Sequence, residues 1–150
     1  MSRRETRVLR EDRPHKLFTI EEANHCLPLV RAITADLVKL SNELIERRQR
    51  LAMLTSGRDR EAGNPYSDEL TAVEAEIEKD AERLQAFACE LAELGVEPKS
   101  ATEGLVDFPS LMDGRVVYLC WKLGEAEVTH WHEVESGFAG RQMLAAGTIA

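Results

Sequence analysis

Apolar residues recur every seven positions in two runs along the chain, at residues 19–54 and 67–94. In both runs a second apolar position falls three residues after the first, which places the two positions on one face of a helix. The first run contains Val30, Ile33, Leu37, Leu40, Leu44, Leu51 and Leu54, and the second contains Leu70, Val73, Ile77, Leu84, Phe87, Leu91 and Leu94. The pattern predicts two helices that pack as a long antiparallel hairpin resembling a coiled coil.

The first helix has a defined start and an internal proline. Thr19 and Glu22 have the spacing of a capping box, in which each side chain accepts a hydrogen bond from the backbone amide of the other. Pro28 lies about two turns further on, where it must remove one helical hydrogen bond. We therefore expect either a kink at Pro28 or a short first helix that restarts near Leu27.

The boundaries of the second helix follow from turn-forming residues. Residues 57–67 hold two glycines, a proline and an asparagine, which predicts the loop between the helices. Ser67 is a favourable N-cap residue, so we predict that the helix begins there. Gly95 supplies the left-handed residue that ends a helix, and Val96 can fold back over the last turn in a Schellman motif.

One polar residue interrupts the apolar seam of each helix, Arg47 in the first and Asp80 in the second. Antiparallel pairing brings the two within one turn of each other, and we predict that they form an ion pair that sets the register of the hairpin. Val38, Ile45 and Ala52 form a second apolar line on the first helix. Either the rest of the chain covers this line or a second copy does, and we predict a homodimer through the helical hairpin.

The helical period stops after Gly95, and the chain then carries turn-forming residues at Gly104, Pro109 and the pair Asp113-Gly114. Residues 115–122 and 127–134 are rich in β-branched and aromatic side chains, which predicts an antiparallel β-hairpin within a small β module. We predict that Lys122 faces Glu127. One face then shows Tyr118, Cys120, Thr129 and Trp131, and the other shows Val117, Leu119, Trp121, Val128, His130 and His132.

Composition places the chain among globular proteins of one domain. It has 150 residues and a net charge of −8, and 43% of the residues are hydrophobic. We predict a single α+β domain at residues 17–150, with the helical hairpin at 17–95 and the β module at 96–144. Residues 1–16 form a basic arm with six basic and three acidic residues, which we predict to be mobile.

The charge and the apolar runs also exclude several classes of protein. The acidic body repels phosphates, so nucleic acid is an unfavourable partner. No apolar run approaches the length of a membrane span or of a secretory signal, so we expect a soluble, cytoplasmic protein. Cys26, Cys89 and Cys120 are odd in number and lack a Cys-x-x-Cys pair, which argues against a disulfide framework and a cysteine-rich zinc site. We predict that they are buried thiols.

Two histidines are the sharpest chemical feature of the β module. His130 and His132 share one face of a strand, a spacing that can chelate a divalent metal such as zinc. Glu133 is one residue that could complete the ligand shell, and Glu135, Asp107 or His25 are others. The alternative is that both are hydrogen-bonded core histidines, in which case the protein has no cofactor.

Residues 137–141, with the sequence GFAGR, form a second candidate site. The glycines allow backbone amides to approach an anion, and the Arg141 guanidinium can bind a carboxylate or a phosphate in bidentate fashion. A simple turn that ends a strand, with Phe138 in the core, explains the same residues.

Several motifs together resemble a small bacterial family catalogued as domain of unknown function 2203. They are FTIEEAN at 18–24 with LP at 27–28, GLVDFP at 104–109, LCWKLGE at 119–125, and WHE at 131–133 leading to GFAGR at 137–141. The resemblance covers residues 17–142 and implies no activity. It leaves His132 and Arg141 inside the motifs, whereas His25 and His130 lie outside them.

Three hypotheses about function remain, and only the second of them is an enzyme. The preferred hypothesis is a dimeric binding or scaffold module whose β module binds a small anion or a partner. Its site residues are Asp107, Trp121, His132 and Arg141. The second is a metal-assisted hydrolase with His130 and His132 as ligands and Glu133 or Asp107 as base. The third is a purely structural interaction protein.

Overall fold

The computed structural model describes residues 16–55 and 65–145, apart from the side chains of Pro65 and Tyr66. Almost all of the predicted basic arm and of the interhelical loop lies outside these residues. Helix α1 spans Ile20–Thr55, and helix α2 spans Pro65–Glu93. The predicted helical hairpin is confirmed.

The structure corrects two details of the helix boundaries. Helix α1 continues through Pro28, so a helix that restarts near Leu27 is wrong. Leu27 and Val30 are both buried in the core, and their packing outweighs the single hydrogen bond that the proline removes. Helix α2 begins at Pro65 and not at Ser67, because the fixed backbone angle of proline and its missing N–H suit the first turn of a helix.

The predicted caps are present at the outer ends of the hairpin, which are the start of α1 and the end of α2. The Thr19 amide donates to Glu22 Oε1 at 3.0 Å, and the Glu22 amide donates to Thr19 Oγ1 at 3.1 Å. Gly95 has a φ of 89°, and the amide of Val96 donates to the carbonyl of Leu91 at 3.0 Å. This bond is the long one of a Schellman motif, so both caps are confirmed.

The predicted ion pair between the two helices is confirmed. A guanidinium nitrogen of Arg47 bonds the carboxylate of Asp80, whose side chain is 13% exposed. Arg83, one turn along α2, lies at 3.5 Å from the other oxygen of Asp80. The two interruptions of the apolar seams therefore meet inside the hairpin and fix its register.

The β module is larger than the predicted hairpin, because it forms a five-stranded antiparallel sheet with strand order β1-β2-β3-β4-β5. The strands are β1 at Glu97–Ser100, β2 at Leu105–Met112, β3 at Arg115–Lys122, β4 at His130–Glu133 and β5 at Gln142–Met143. A short 3₁₀ helix at Phe138–Gly140 precedes β5. The α+β fold class is confirmed.

Strand β2 contains one residue that was predicted to form a turn. Pro109 lies inside the strand opposite Tyr118 of β3. Its carbonyl accepts a hydrogen bond from the amide of Phe18 at 2.7 Å. The nitrogen and the carbonyl of a strand residue point to the same side, so the missing N–H of Pro109 faces away from β3 and removes no hydrogen bond between β2 and β3.

The register of strand β4 differs from the prediction by one residue. The structure pairs Tyr118 with His132 and Leu119 with Trp131. The predicted pairing of Lys122 with Glu127 would instead have shifted each partner on β4 by one residue. A shift of one residue moves every side chain of a strand to the other face. Trp131 therefore packs toward the helices with Leu119, and His132 points to the opposite side with Tyr118.

The sheet packs its inner face, defined here as the face toward the helices, against the outer ends of α1 and α2. The shared core includes Val30, Leu37, Leu91, Phe108, Leu119 and Trp121, all 2% exposed or less. Of the second apolar line, Val38 approaches the sheet at Gly104, whereas Ile45 is 39% exposed. Within the described residues, neither helix is long and apolar enough to span a membrane.

Candidate functional site

Three neighbouring strands bring Asp107, Cys120 and His132 together on the outer face of the sheet, which is the face away from the helices. Asp107 of β2 lies directly opposite Cys120 of β3, and His132 of β4 lies one diagonal step away. All three side chains are buried, and one potential ligand atom from each lies within 4.8 Å of the others. A carboxylate, a thiol and an imidazole thus converge at one point.

The imidazole of His132 is held by a hydrogen bond at each ring nitrogen. Nδ1 lies 2.7 Å from the carbonyl oxygen of Glu133, and Nε2 lies 3.0 Å from Oδ2 of Asp107. Because a carbonyl can only accept, Nδ1 carries a proton. Nε2 therefore either presents its lone pair to a protonated Asp107 or, in the imidazolium, donates to the carboxylate.

Burial raises the pKa of the other two groups. It raises the pKa of the Asp107 carboxyl, although His132 opposes this effect. Burial also raises the pKa of the Cys120 thiol to about 12, with the nearby Asp107 carboxylate adding to the effect. In the absence of a bound cation Cys120 is thus a neutral thiol at physiological pH.

The three cysteines differ in exposure, which corrects the prediction that all are buried. Cys120 is buried, Cys26 is half-buried and Cys89 is exposed on α2. Cys120 therefore belongs to the cluster on the outer face, whereas Cys89 faces solvent.

The cluster forms the floor of a cleft of about 160 Å³. One side carries Lys99 and Tyr118. Lys99 Nζ donates to Glu97 Oε1 at 2.9 Å and lies 5.1 Å from the centre of the Tyr118 ring. The other side is formed by Val134, Gly137 and Phe138, and Leu105 also lines the cleft. A small molecule in the cleft would contact the three buried groups directly.

Hydrogen bonds of Arg141 hold the C-terminal segment next to the cluster. Its guanidinium bonds both carboxylate oxygens of Glu125, at 3.1 and 2.8 Å, and the carbonyl of Cys120 at 3.3 Å. It also lies 4.8 Å from the centre of the Phe138 ring. The charge of Arg141 is thus paired within the fold, and this guanidinium holds Phe138 in place at the cleft.

The other predicted site residues are not members of the cluster, although His130 of β4 lies opposite Cys120 of β3. Trp121 is on the inner face, fully buried, with its indole N–H donating to the carbonyl of Glu125 at 2.9 Å. Glu133 forms a bidentate pair with Arg115, with both contacts at 2.9 Å, and points away from the adjacent His132. His130 lies 2.9 Å from the hydroxyl of Thr129. The structure does not bring His130, His132 and Glu133 together as one ligand set.

Sequence reasoning missed Cys120 as a member of the site, although a local signal for it exists. Asp113 and Gly114 both have positive φ angles, of 51° and 78°, as a two-residue type I′ hairpin turn requires. Such a turn places Met112 opposite Arg115, and counting back along both strands places Asp107 opposite Cys120. The position of His132 has no comparable local signal.

Comparison with known proteins identifies the family of this chain. Residues 16–144 match the family described as uncharacterized conserved protein, domain of unknown function 2203. The chain therefore belongs to that family, in agreement with the resemblance of its motifs. No curated protein and no solved structure matches it significantly.

Proposed function

We propose that this protein is a metal-binding module in which Asp107, Cys120 and His132 hold one divalent transition-metal ion. The observation that carries the proposal is the convergence of an oxygen, a sulfur and a nitrogen donor within 4.8 Å at a buried point. Buried polar groups of this kind are costly unless they are paired, and a cation pairs with all three.

The orientation of His132 supports this role. Histidines that bind metals commonly donate their second ring N–H to a backbone carbonyl or a carboxylate, which directs the lone pair of the other nitrogen at the metal. The bond from Nδ1 of His132 to the carbonyl of Glu133 is of this kind. The metal would then replace the proton that Asp107 and His132 share.

The donor set favours zinc among the common divalent ions. Zinc accepts thiolate, imidazole and carboxylate ligands, and sites with three protein ligands leave a fourth position for water or another small ligand. Donor atoms in such a tetrahedral site lie about 3.4 Å apart, so small movements of these side chains suffice to form it. The fourth position would face the cleft.

Cobalt titration tests the proposal, because cobalt(II) bound to a thiolate in a tetrahedral site absorbs visible light. We expect one equivalent to bind and zinc to displace it. Asp107→Asn should abolish binding and leave the fold intact. The new amide can donate to Nε2 of His132 and can still accept the hydrogen bond that the Cys120 thiol gives to Asp107. Cys120→Ser should also weaken binding, by at least about 100-fold.

Matched controls separate this site from the other histidines and cysteines. Cys89→Ser removes an exposed thiol, and His130→Gln removes the histidine beside Thr129. Both variants should bind cobalt as the parent does. Less than one tenth of an equivalent on the parent, or equal binding by the Asp107→Asn variant, would refute the proposal.

Metal-assisted hydrolysis is a second candidate, favoured by the position of the three donors at the floor of a cleft. A zinc ion with an open position can lower the pKa of bound water and so supply a nucleophile. Hydrolysis of an activated ester by the zinc-loaded protein, compared with the Cys120→Ser variant, tests this candidate. Equal rates for the two proteins would exclude hydrolysis as the function. The proposal of metal binding would still stand.

We also infer that the helical hairpin pairs with a second copy of the chain. Ile45, Met53 and Leu54 lie on α1 beyond the sheet and are 39%, 79% and 43% exposed. Exposed apolar side chains grouped on one part of a helix commonly mark an interface, and two helical hairpins can bury such side chains in a four-helix bundle. The pair of hairpins would then carry two metal-binding β modules.

A further inference from the structure

The cleft above the three donors has two chemically different sides, and this difference limits what can occupy it. Lys99 and Tyr118 form a polar side. Val134 and Phe138 form an apolar side, and both are substantially exposed, at 50% and 39%. A ligand that satisfies both sides carries a charged or polar end and an apolar end.

The polar side of the occupied site offers hydrogen-bond donors to an anion. A divalent ion is neutralised by the carboxylate of Asp107 and the thiolate of Cys120, while His132 binds as a neutral ligand. Lys99 is the remaining cation among the described residues that line the cleft. Its ammonium group has three donors and gives one to Glu97, so others are available to a ligand oxygen.

The size of the cleft limits the apolar end. Its volume of about 160 Å³ is below the roughly 300 Å³ at which pockets for drug-sized ligands begin. The cleft therefore suits a molecule of a few heavy atoms. Inorganic phosphate would satisfy Lys99 but would leave Val134 and Phe138 exposed to water.

On this basis we propose that the fourth position of the metal binds a small aliphatic carboxylate. One carboxylate oxygen contacts the metal, the other accepts a hydrogen bond from Lys99, and the alkyl chain lies against Val134 and Phe138. This inference rests on the proposed metal site. It makes Lys99 the residue that selects for an anion and Val134 one that selects for an alkyl chain.

Titration of the cobalt-loaded protein with acetate, propionate, butyrate and inorganic phosphate tests the inference through the visible absorption band. Each anion that replaces water on cobalt shifts the band, so binding is read without any assay of activity. We expect affinity to rise from acetate to butyrate by up to about fourfold for each methylene group, the value for full burial. Phosphate should bind more weakly than butyrate.

Two variants test which side of the cleft binds the carboxylate group and which side binds the alkyl chain. Lys99→Gln should lower the affinity of the cobalt-loaded protein for every anion by about tenfold, without changing the affinity for cobalt. Val134→Thr keeps the shape of the side chain, and it should reduce the difference between acetate and butyrate. Lys39→Gln, on α1 away from the sheet, is the matched control and should leave both affinities unchanged.

The outcomes distinguish the two proposals. If the parent protein binds no cobalt, the metal site itself is refuted. If cobalt binds but no carboxylate shifts the band, the metal site stands and the carboxylate inference is wrong. The inference is also wrong if phosphate binds more tightly than butyrate, or if Lys99→Gln leaves the affinity for the anions unchanged.

Discussion

Gly104 lies in the turn between β1 and β2, where the β module packs against helix α1, and replacing it with alanine tests how tightly the two are packed. Its φ is 72°, a conformation that side chains other than glycine rarely adopt. A Cβ atom at this position would lie 2.7 Å from Cβ of Leu123 and 3.1 Å from Cγ2 of Val38. Neither neighbour can withdraw easily, because the Leu123 atom is next to the backbone and Val38 belongs to α1.

Gly114 provides a control that separates the two effects. Its φ is 78°, and a Cβ there would meet nothing within 4 Å. Gly114→Ala therefore costs the backbone strain alone, about 1 kcal/mol. Gly104→Ala adds overpacking of about 1 to 3 kcal/mol to the same strain, so we expect it to cost about 2 to 4 kcal/mol in all.

Urea unfolding followed by tryptophan fluorescence measures both costs. Trp121 lies in the core that the sheet shares with the helices, and Trp131 packs against that core. Their emission therefore reports the unfolding of this core. We expect the midpoint to fall for both variants and to fall further for Gly104→Ala, with the slope of the transition unchanged. Equal midpoints for the two alanine variants would show that Gly104 is not packed against α1 and the segment after β3.

Three further predictions concern thiols, pH and assembly. Cys89 should react with a thiol reagent in the native protein, whereas Cys120, which is buried with a pKa of about 12, should react only on unfolding; fast native labelling of Cys120 would contradict this. Burial opposes ionisation of Glu125, but its hydrogen bonds from Arg141 and from the backbone amide of Lys122 outweigh burial and lower its pKa. The ionised Glu125 therefore stabilises the fold above the ordinary carboxyl pKa, and this stabilisation is lost as the pH falls through the lowered pKa. Glu125→Gln should therefore flatten the fall in melting temperature on acidification, and an unchanged profile would contradict the pairing. Light scattering at micromolar concentration should give the mass of two chains, and Ile45→Glu should reduce it to one; a monomeric parent would refute the dimer.

The helical hairpin could be predicted in detail because helix contacts depend on local spacing. Residues three and four apart on one helix share a face whatever the rest of the chain does. The interruption of each apolar seam was therefore enough to find the pair of Arg47 and Asp80. The same reasoning placed both caps, since each cap is formed within six residues of sequence.

The register of β4 could not be predicted in this way. Residues 123–129 join β3 to β4 and contain no two-residue turn that would fix the pairing. Both registers put apolar side chains on both faces, so alternation does not choose between them. The choice depends on two distant contacts, because Trp131 packs in the core with Leu119 while His132 bonds Asp107.

The candidate site therefore combines one local contact with one that is distant in sequence. The turn at Asp113-Gly114 is sufficient to place Asp107 opposite Cys120 once β2 is recognised as a strand, and Pro109 obscured that strand by resembling a turn. His132 reaches the same point only when β4 is paired with β3. A site that needs three paired strands exists only in the folded protein, so metal binding at all three donors should stabilise the native state against unfolding.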